Sequence, residues 1–491
     1  MNQLSPLIPP ASTAEDLPAA AAAAFAARTP GSKAMAEASR DRLADKTPLA
    51  MPFTPALKEA FYPVVAERAE GAHLWDVDGN RYVDILMGLG CNLLGHNPEP
   101  IRRALEARLA QGFPIGPQSP LAGETAEMFA RLTGHERVTF TNTGTEAVMT
   151  ALRLARAATG RRRVAVFTNA YHGHADLALF KAHRLEYLRR GALARAGSGP
   201  LRALKPLLER IMLTSAAPGF PGVQRRLGRD LVVLDYGDPR SLEVVRRLGR
   251  SLAAVLVEPV QSRVPELQPR DFLHGLREAT AATGAALIFD EMISGFRVAP
   301  GGAQEHFGVR ADLATYGKIA GGGLPLALIA GERRFMDRID GGAWRFGDDS
   351  APQVPQSFFA GTFARHPLSL TAAHATAKIL LDRGPALQEG LNAATAALVS
   401  QLDAGLEARG IPVRFARFGS FFAVDGARSR MPAAASPVLS LLLLAGGVHL
   451  RPGDRGGFLS TAHGEAERAF VAERFLEALG TMAEAGLLPR A

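Results

Sequence analysis

Six short apolar runs, unbroken by charge and separated mostly by stretches of helical length, constrain this chain more than any other feature. They are Val138-Thr139-Phe140, Val164–Phe167, Ile211-Met212-Leu213, Leu231–Leu234, Ala254–Val257 and Ala286–Phe289. A strand with one wet face alternates apolar and polar residues, whereas a continuous apolar run is buried on both faces. The pattern predicts an α/β fold with a large domain over about 89–360, built on a mainly parallel sheet covered on both sides. A turn at Asp78-Gly79-Asn80 predicts a hairpin between Leu74-Trp75 and Tyr82-Val83. Residues 31–88 and the helical, then strand-like, segment 361–491 would combine into a smaller α+β domain. Residues 1–30, rich in alanine and proline, read as a flexible leader. No internal repeat is apparent.

In open parallel sheets ligands sit beyond the C-terminal strand ends, so the residues that follow each run carry the chemistry. The run ending at Phe289 delivers Asp290-Glu291, and Asp312-Leu313-Ala314-Thr315-Tyr316-Gly317-Lys318 then leads to Gly321-Gly322-Gly323. A strand-end carboxylate with a lysine in a glycine-flanked segment is what pyridoxal phosphate chemistry needs. The acid keeps a pyridine nitrogen protonated, and the amine forms a Schiff base with the aldehyde. The apolar flanks of Lys318 suit an amine that must be nucleophilic at neutral pH. Asn142-Thr143-Gly144-Thr145-Glu146-Ala147 opens a helix whose first N–H groups suit a phosphate, although Thr143 or Thr145 could equally cap it. Tyr171 offers an aromatic ring for stacking, and His172-Gly173-His174 lacks the third ligand that a metal would need. Glu258 and Asp290 end neighbouring runs and are expected to share one crevice, while either acid alone would read as a loop hydrogen-bonding group.

Charge does not redirect this reading. The formal net charge is +8, carried almost wholly by arginine because only seven lysines occur. The clusters Arg161-Arg162-Arg163, Arg189-Arg190 and Arg225-Arg226 lack interleaved aromatics, which argues against nucleic acid and leaves an acidic protein partner as the minor reading. No apolar run approaches the ~18 residues of a membrane span. The single cysteine, Cys91, excludes an internal disulfide, consistent with a cytoplasmic protein.

Taken in order, these motifs resemble the class III, fold type I, PLP-dependent aminotransferases, the group that includes glutamate-1-semialdehyde aminomutase. The resemblance rests on Glu258-Pro259-Val260-Gln261-Ser262-Arg263, Asp290-Glu291-Met292-Ile293-Ser294-Gly295-Phe296-Arg297, Thr315-Tyr316-Gly317-Lys318, Phe358-Phe359-Ala360-Gly361-Thr362-Phe363 and Phe458–His463. More narrowly it extends to the aminotransferase domains of polyketide/nonribosomal peptide synthetases. It implies that Lys318 carries the cofactor and shuttles a proton, that Asp290 pairs with the ring nitrogen, and that Tyr171 and Met292 sandwich the ring. Gln261 would approach the ring oxygen near Glu258. Gly144 and Thr145 would bind the phosphate, joined by Gly361 and Thr362 of a neighbouring subunit in a homodimer. The implied reaction moves an amino group from an amino acid donor to a carbonyl acceptor, a beta-keto acyl thioester or an aldehyde. An acyl carrier protein would then act in trans. The alternative is a glutamate-1-semialdehyde-type aminomutase, although Ser262-Arg263 stands where that group has Gly-Asn. Arg40, Arg263 and Arg451 are the candidates for substrate carboxylate recognition. A non-catalytic PLP-binding protein is a third reading, disfavoured by intact Lys318, Asp290 and Glu258.

Overall fold

The computed structural model describes residues 13–46, 51–182 and 216–489. The chain forms two compact units, one comprising 104–384 and the other 1–103 with 385–491.

The first unit is built on a seven-stranded sheet. Its strands are β1 (Arg137–Thr141), β2 (Arg163–Phe167), β3 (Leu231–Leu234), β4 (Leu252–Val257), β5 (Ala286–Asp290), β6 (Leu313–Tyr316) and β7 (Ala327–Gly331). They lie in the order β1-β7-β6-β5-β4-β2-β3. Only β7 runs against its neighbours; every other pairing is parallel. The apolar runs occupy the strands as predicted, and every residue of β3, β4 and β5 is buried. The expected run at Ile211–Leu213 lies outside the described residues.

Three helices matter below: α1 (Gly144–Thr159), α2 (Pro239–Leu248) and α3 (Arg270–Thr283). Arrangement of β1, β2, β4, β5 and β6 in one direction brings their C-terminal ends to a single edge of the sheet. The unit extends past 360 because helix Pro367–Arg383 packs on helix Leu121–Thr133 and buries Leu370, Ala373 and Ala377.

The second unit joins both chain ends. His73–Asp76 and Arg81–Asp84 form the expected hairpin, and Val448–His449 adds alongside in parallel, pairing Val448 with Val83. A three-stranded antiparallel sheet of Phe415–Phe418, Phe421–Val424 and Gly456–Phe458 lies in the same unit. The leucine-rich segment forms helix Ala435–Ala445, every residue of which except Ser436 is buried. No helix among the described residues is long and apolar enough to cross a membrane.

One difference from the sequence reading lies in the leader. Residues Leu17–Arg28 form a helix with Leu17, Ala21 and Phe25 buried, one face at a spacing of four, so this stretch is not flexible, while residues 1–12 of the expected leader lie outside the described residues. Phe25 stacks on Tyr62 at 5.1 Å between centroids, and the Thr29 hydroxyl lies 2.8 Å from the Tyr62 hydroxyl. The alanines that favoured the leader reading let this helix pack closely.

Candidate active site

The C-terminal edge of the sheet gathers most of the residues singled out from sequence. After β1, Thr143 caps α1: its side chain accepts from Glu146 N, and Glu146 reaches back to Thr143 N in a reciprocal capping box. That resolves the choice between the two threonines, because the Thr145 hydroxyl instead accepts from His174 N at 3.2 Å. Gly173 makes this contact possible, since a Cβ there would stand 2.5 Å from Thr145 Oγ1 on a backbone at φ +85°.

Beyond β5, Asp290 is 2% exposed and held by three donors. His172 Nδ1 donates to Oδ2 at 2.7 Å, while Met292 N and the Thr315 hydroxyl donate to Oδ1 at 3.2 and 3.3 Å. The Met292 bond is the loop role that a strand-end acid has by default; the buried His172 bond is an additional constraint. His172 is 4% exposed, and its Nε2 has no hydrogen-bond partner among the described residues. Sequence reading weighed His172 only as a metal ligand. The sequence offered only its position directly after the candidate stacking residue; that β2 ends two strands from β5 is known from the sheet order alone.

Glu258 follows β4 and is buried, and its two oxygens accept from Ser262 N at 2.9 Å and Tyr171 N at 3.3 Å. Burial pushes this carboxyl above the ordinary range, and the two N–H groups and His172 oppose that shift. Its role in the structure is to tie the loop after β2 to the loop after β4. Gln261 is buried and donates to Thr168 O at 2.7 Å.

Met292 packs against two glycines of the site. A Cβ on Gly144 would lie 2.8 Å from Met292 Sδ, and one on Gly317 would lie 2.7 Å from the same atom. The thioether therefore sits between the start of α1 and the residue before Lys318. Lys318 follows β6, is half-buried, and adopts φ 47°, a left-handed conformation unusual for a residue with a side chain.

Eight predicted residues thus share one edge: Gly144, Thr145, Tyr171, Glu258, Gln261, Asp290, Met292 and Lys318. Tyr171 is 52% exposed, so its ring lies uncovered at the mouth of the edge. Gly361 and Thr362 are exposed, and Gly361 stands near Asn142 of its own chain. Arg263 is exposed beyond β4, whereas Arg40 and Arg451 belong to the other unit. Arg40 is exposed at the end of helix Pro30–Ser39, and Arg451 donates to Asp454 at 2.7 Å.

This edge fits pyridoxal phosphate on its own geometry. A buried carboxylate held by three donors suits a ring nitrogen, an uncovered aromatic and a thioether suit the ring faces, and a glycine-threonine helix start suits the phosphate. The family model for class III aminotransferases matches residues 55–452. The chain belongs to the class III aminotransferases.

Glutamate-1-semialdehyde 2,1-aminomutase of Thermomicrobium roseum is 38% identical over 435 residues, 86% of this chain and 92% of that one. The enzyme of the same name from Desulforudis audaxviator is 37% identical over 82% of this chain and 87% of its own length. A solved transaminase with PLP bound shares 30% identity and superposes with a TM-score of 0.77 over 93% of this chain and 99% of its own. An omega-transaminase from Sphaerobacter thermophilus shares 28% identity at a TM-score of 0.77, over 94% of this chain and 99% of its own. The architecture of this family member is that of a fold type I PLP-dependent transferase.

Proposed function

We propose that the protein is a PLP-dependent aminotransferase that carries an amino group from an amino acid to a carbonyl acceptor. The observation that carries this reading is the convergence of Lys318, Met292 and the His172–Asp290 pair at one sheet edge. Pyridoxal phosphate is the cofactor, and when bound it supplies an electron sink for the carbanion left as a proton departs from the amino acid. The chain's own residues do the rest. Asp290 holds the ring nitrogen in its protonated state, and His172 fixes the carboxylate that does so. Gly144 and Thr145 would hold the phosphate at the helix start, Tyr171 and Met292 would line the two faces of the ring, and Gln261 and Glu258 would complete its binding site. Lys318 Nζ takes the proton from the substrate α-carbon and returns a proton to the acceptor carbon in the second half-reaction.

The partner subunit is part of the proposal. Gly361 and Thr362 lie exposed between Phe358, 79% exposed, and Phe363, 55% exposed, and Trp344 and Phe346 add further uncovered aromatic surface in the same unit. Apolar area of this kind calls for a covering surface, and a homodimer would both cover it and bring Gly361 and Thr362 to the neighbouring phosphate.

For the acceptor, we favour a beta-keto acyl thioester or related aldehyde of secondary metabolism, delivered by an acyl carrier protein in trans. The support is the Ser262-Arg263 pair after Glu258-Pro259-Val260-Gln261, with Arg263 exposed. The glutamate-1-semialdehyde aminomutase reading is favoured instead by the names of the two relatives and by exposed Arg40. Arg451 is a poorer carboxylate anchor because Asp454 already occupies it.

Single-turnover absorbance of the pyridoxamine-loaded enzyme separates the two. The enzyme is mixed with a beta-keto acyl carrier-protein thioester, the matching free acid, and glutamate semialdehyde. Recovery of the pyridoxal band with the thioester alone supports the favoured acceptor. Recovery with glutamate semialdehyde and not with the thioester replaces it with the aminomutase.

A further inference from the structure

The edge of the sheet opposite the candidate active site carries a short repeat. The pentapeptide Arg-Arg-Leu-Gly-Arg occurs at 225–229 and again at 246–250. Each copy is followed by one polar residue and then by the leucine that begins a strand, Leu231 of β3 and Leu252 of β4. The third strand of this group, β2, lies between those two in the sheet and begins directly after Arg161-Arg162. Because β2, β3 and β4 are parallel, all three arginine-rich entries lie at their N-terminal ends, away from Asp290, Tyr171 and Glu258.

Contacts show that the entries are neighbours. Arg161 Nη1 donates to Gly249 O and Leu252 O at 3.2 and 3.1 Å, and Arg162 pairs with Asp230 at 3.1 Å. The glycines are packing devices: a Cβ on Gly228 would meet the Phe180 ring at 2.6 Å, and one on Gly249 would meet Thr283 at 2.2 Å. The arginines are not packing devices. All three in each pentapeptide are exposed, as is Arg162.

Part of this charge has a local explanation, since Arg246 and Arg247 occupy the last turn of α2, where cations favour the helix dipole. Arg225, Arg226, Arg229 and Arg250 lie outside any α-helix and have no such reason. Among the described residues, the only acid within the three entries is Asp230, already engaged by Arg162; the nearest other acid along the chain is Glu243, exposed one turn earlier on α2.

We propose that this N-terminal edge is a docking surface for an acidic protein segment. The breadth of three strands is about 10 Å between the outer axes, which matches one helix better than the long phosphate track of a duplex. Guanidinium groups bind carboxylates through two parallel hydrogen bonds, and no aromatic side chain is interleaved in either pentapeptide to stack on bases. The surface faces away from the catalytic edge, so the bound partner holds the enzyme in place and does not deliver its substrate. The inference is therefore independent of which acceptor the enzyme uses.

The test is fluorescence anisotropy of the cofactor-loaded, full-length enzyme with a labelled glutamate-rich helical peptide, and with a labelled DNA duplex of equal charge. The peptide should bind at low ionic strength and weaken with added salt. Arg246→Glu/Arg247→Glu should weaken it about tenfold or more, and the milder Arg225→Gln/Arg226→Gln about threefold, with half-reaction rates unchanged. The matched reversal Arg428→Glu/Arg430→Glu, on exposed arginines of the other unit, should change binding less than about twofold. Equal loss in that control, absence of peptide binding, or tighter binding of the duplex than of the peptide would each overturn the proposal.

Discussion

At the residue scale the pair His172–Asp290 gives the site its clearest physical signature. Two buried polar side chains 2.7 Å apart, one with an unpartnered nitrogen, are costly unless they serve something. Replacement of His172 by Gln should keep the cofactor bound but lower the half-reaction rate by roughly ten- to a hundredfold, the range for a residue that positions another. It should also move the pH dependence of the bound cofactor's absorbance, a change that a purely structural role would not produce. Gly173→Ala acts differently, since the new Cβ meets Thr145 at 2.5 Å on a left-handed backbone. It should destabilise the fold by about 1–2 kcal/mol and loosen cofactor retention, measured by melting and by dialysis. Lys318 was singled out by its apolar flanks, and Asp290 by its order before that lysine, since its own flanks would give only a loop hydrogen-bonding group. The His172–Asp290 bond was not, because 118 residues separate the partners and only the strand order brings them together.

At the scale of elements, the start of α1 shows how local rules and site geometry coexist. The cap uses Thr143 and Glu146, which leaves the Thr145 hydroxyl proton and the N–H groups of Gly144 and Thr145 to the site. Thr143→Ala should therefore cost about 1 kcal/mol in thermal or urea unfolding without removing a phosphate ligand. In the other unit, the strand pairing Val448–His449 with Arg81–Asp84 surrounds a buried polar cluster. Asp84 accepts from His96 and His449 at 2.7 Å each; burial pushes its carboxyl up, but these bonds outweigh it and hold it well below the usual carboxylate range.

His463 Nε2 lies 3.1 Å from Asp84 O, its Nδ1 accepts from Ser460 N, and burial lowers it to about 4. A histidine depressed in the fold contributes stability that is complete above about 6.5 and is lost as pH falls toward 4. Between pH 7 and 5 this group should remove on the order of 2 kcal/mol from the unit that contains it. Urea unfolding of wild type and His463→Gln at both pH values should show a smaller pH difference in the variant. An equal difference would remove His463 from the account. The hairpin at Asp78-Gly79-Asn80 and the continuous apolar strands were readable because turn chemistry and period act over few residues. The helix Leu17–Arg28 was misread because its burial depends on distant Tyr62 and on partner helices, not on its own mild composition.

At the scale of the whole molecule, the order of the motifs along the chain carried the resemblance to the family, because most of the candidate site residues follow strands of one mainly parallel sheet. What it did not carry was the meaning of the doubled pentapeptide, whose two copies are readable in the chain but become neighbours only when β2, β3 and β4 align. The exposed aromatic surface around Phe358 predicts that Phe358→Glu yields a smaller species by light scattering and releases cofactor more readily than wild type. Retention of the wild-type mass would show that this surface is not the subunit contact. The central claim is that Lys318, at the edge organised by Asp290, carries amino transfer. Its most direct test mixes the PLP-loaded enzyme, wild type and Lys318→Ala side by side, with a panel of amino acid donors in a single turnover, while absorbance and released oxo acid are followed. Wild type should lose the pyridoxal band and release one oxo acid per subunit with at least one donor, and the variant should release none. Oxo acid release by the variant at the wild-type rate, or none from fully loaded wild type with any donor, would contradict the account.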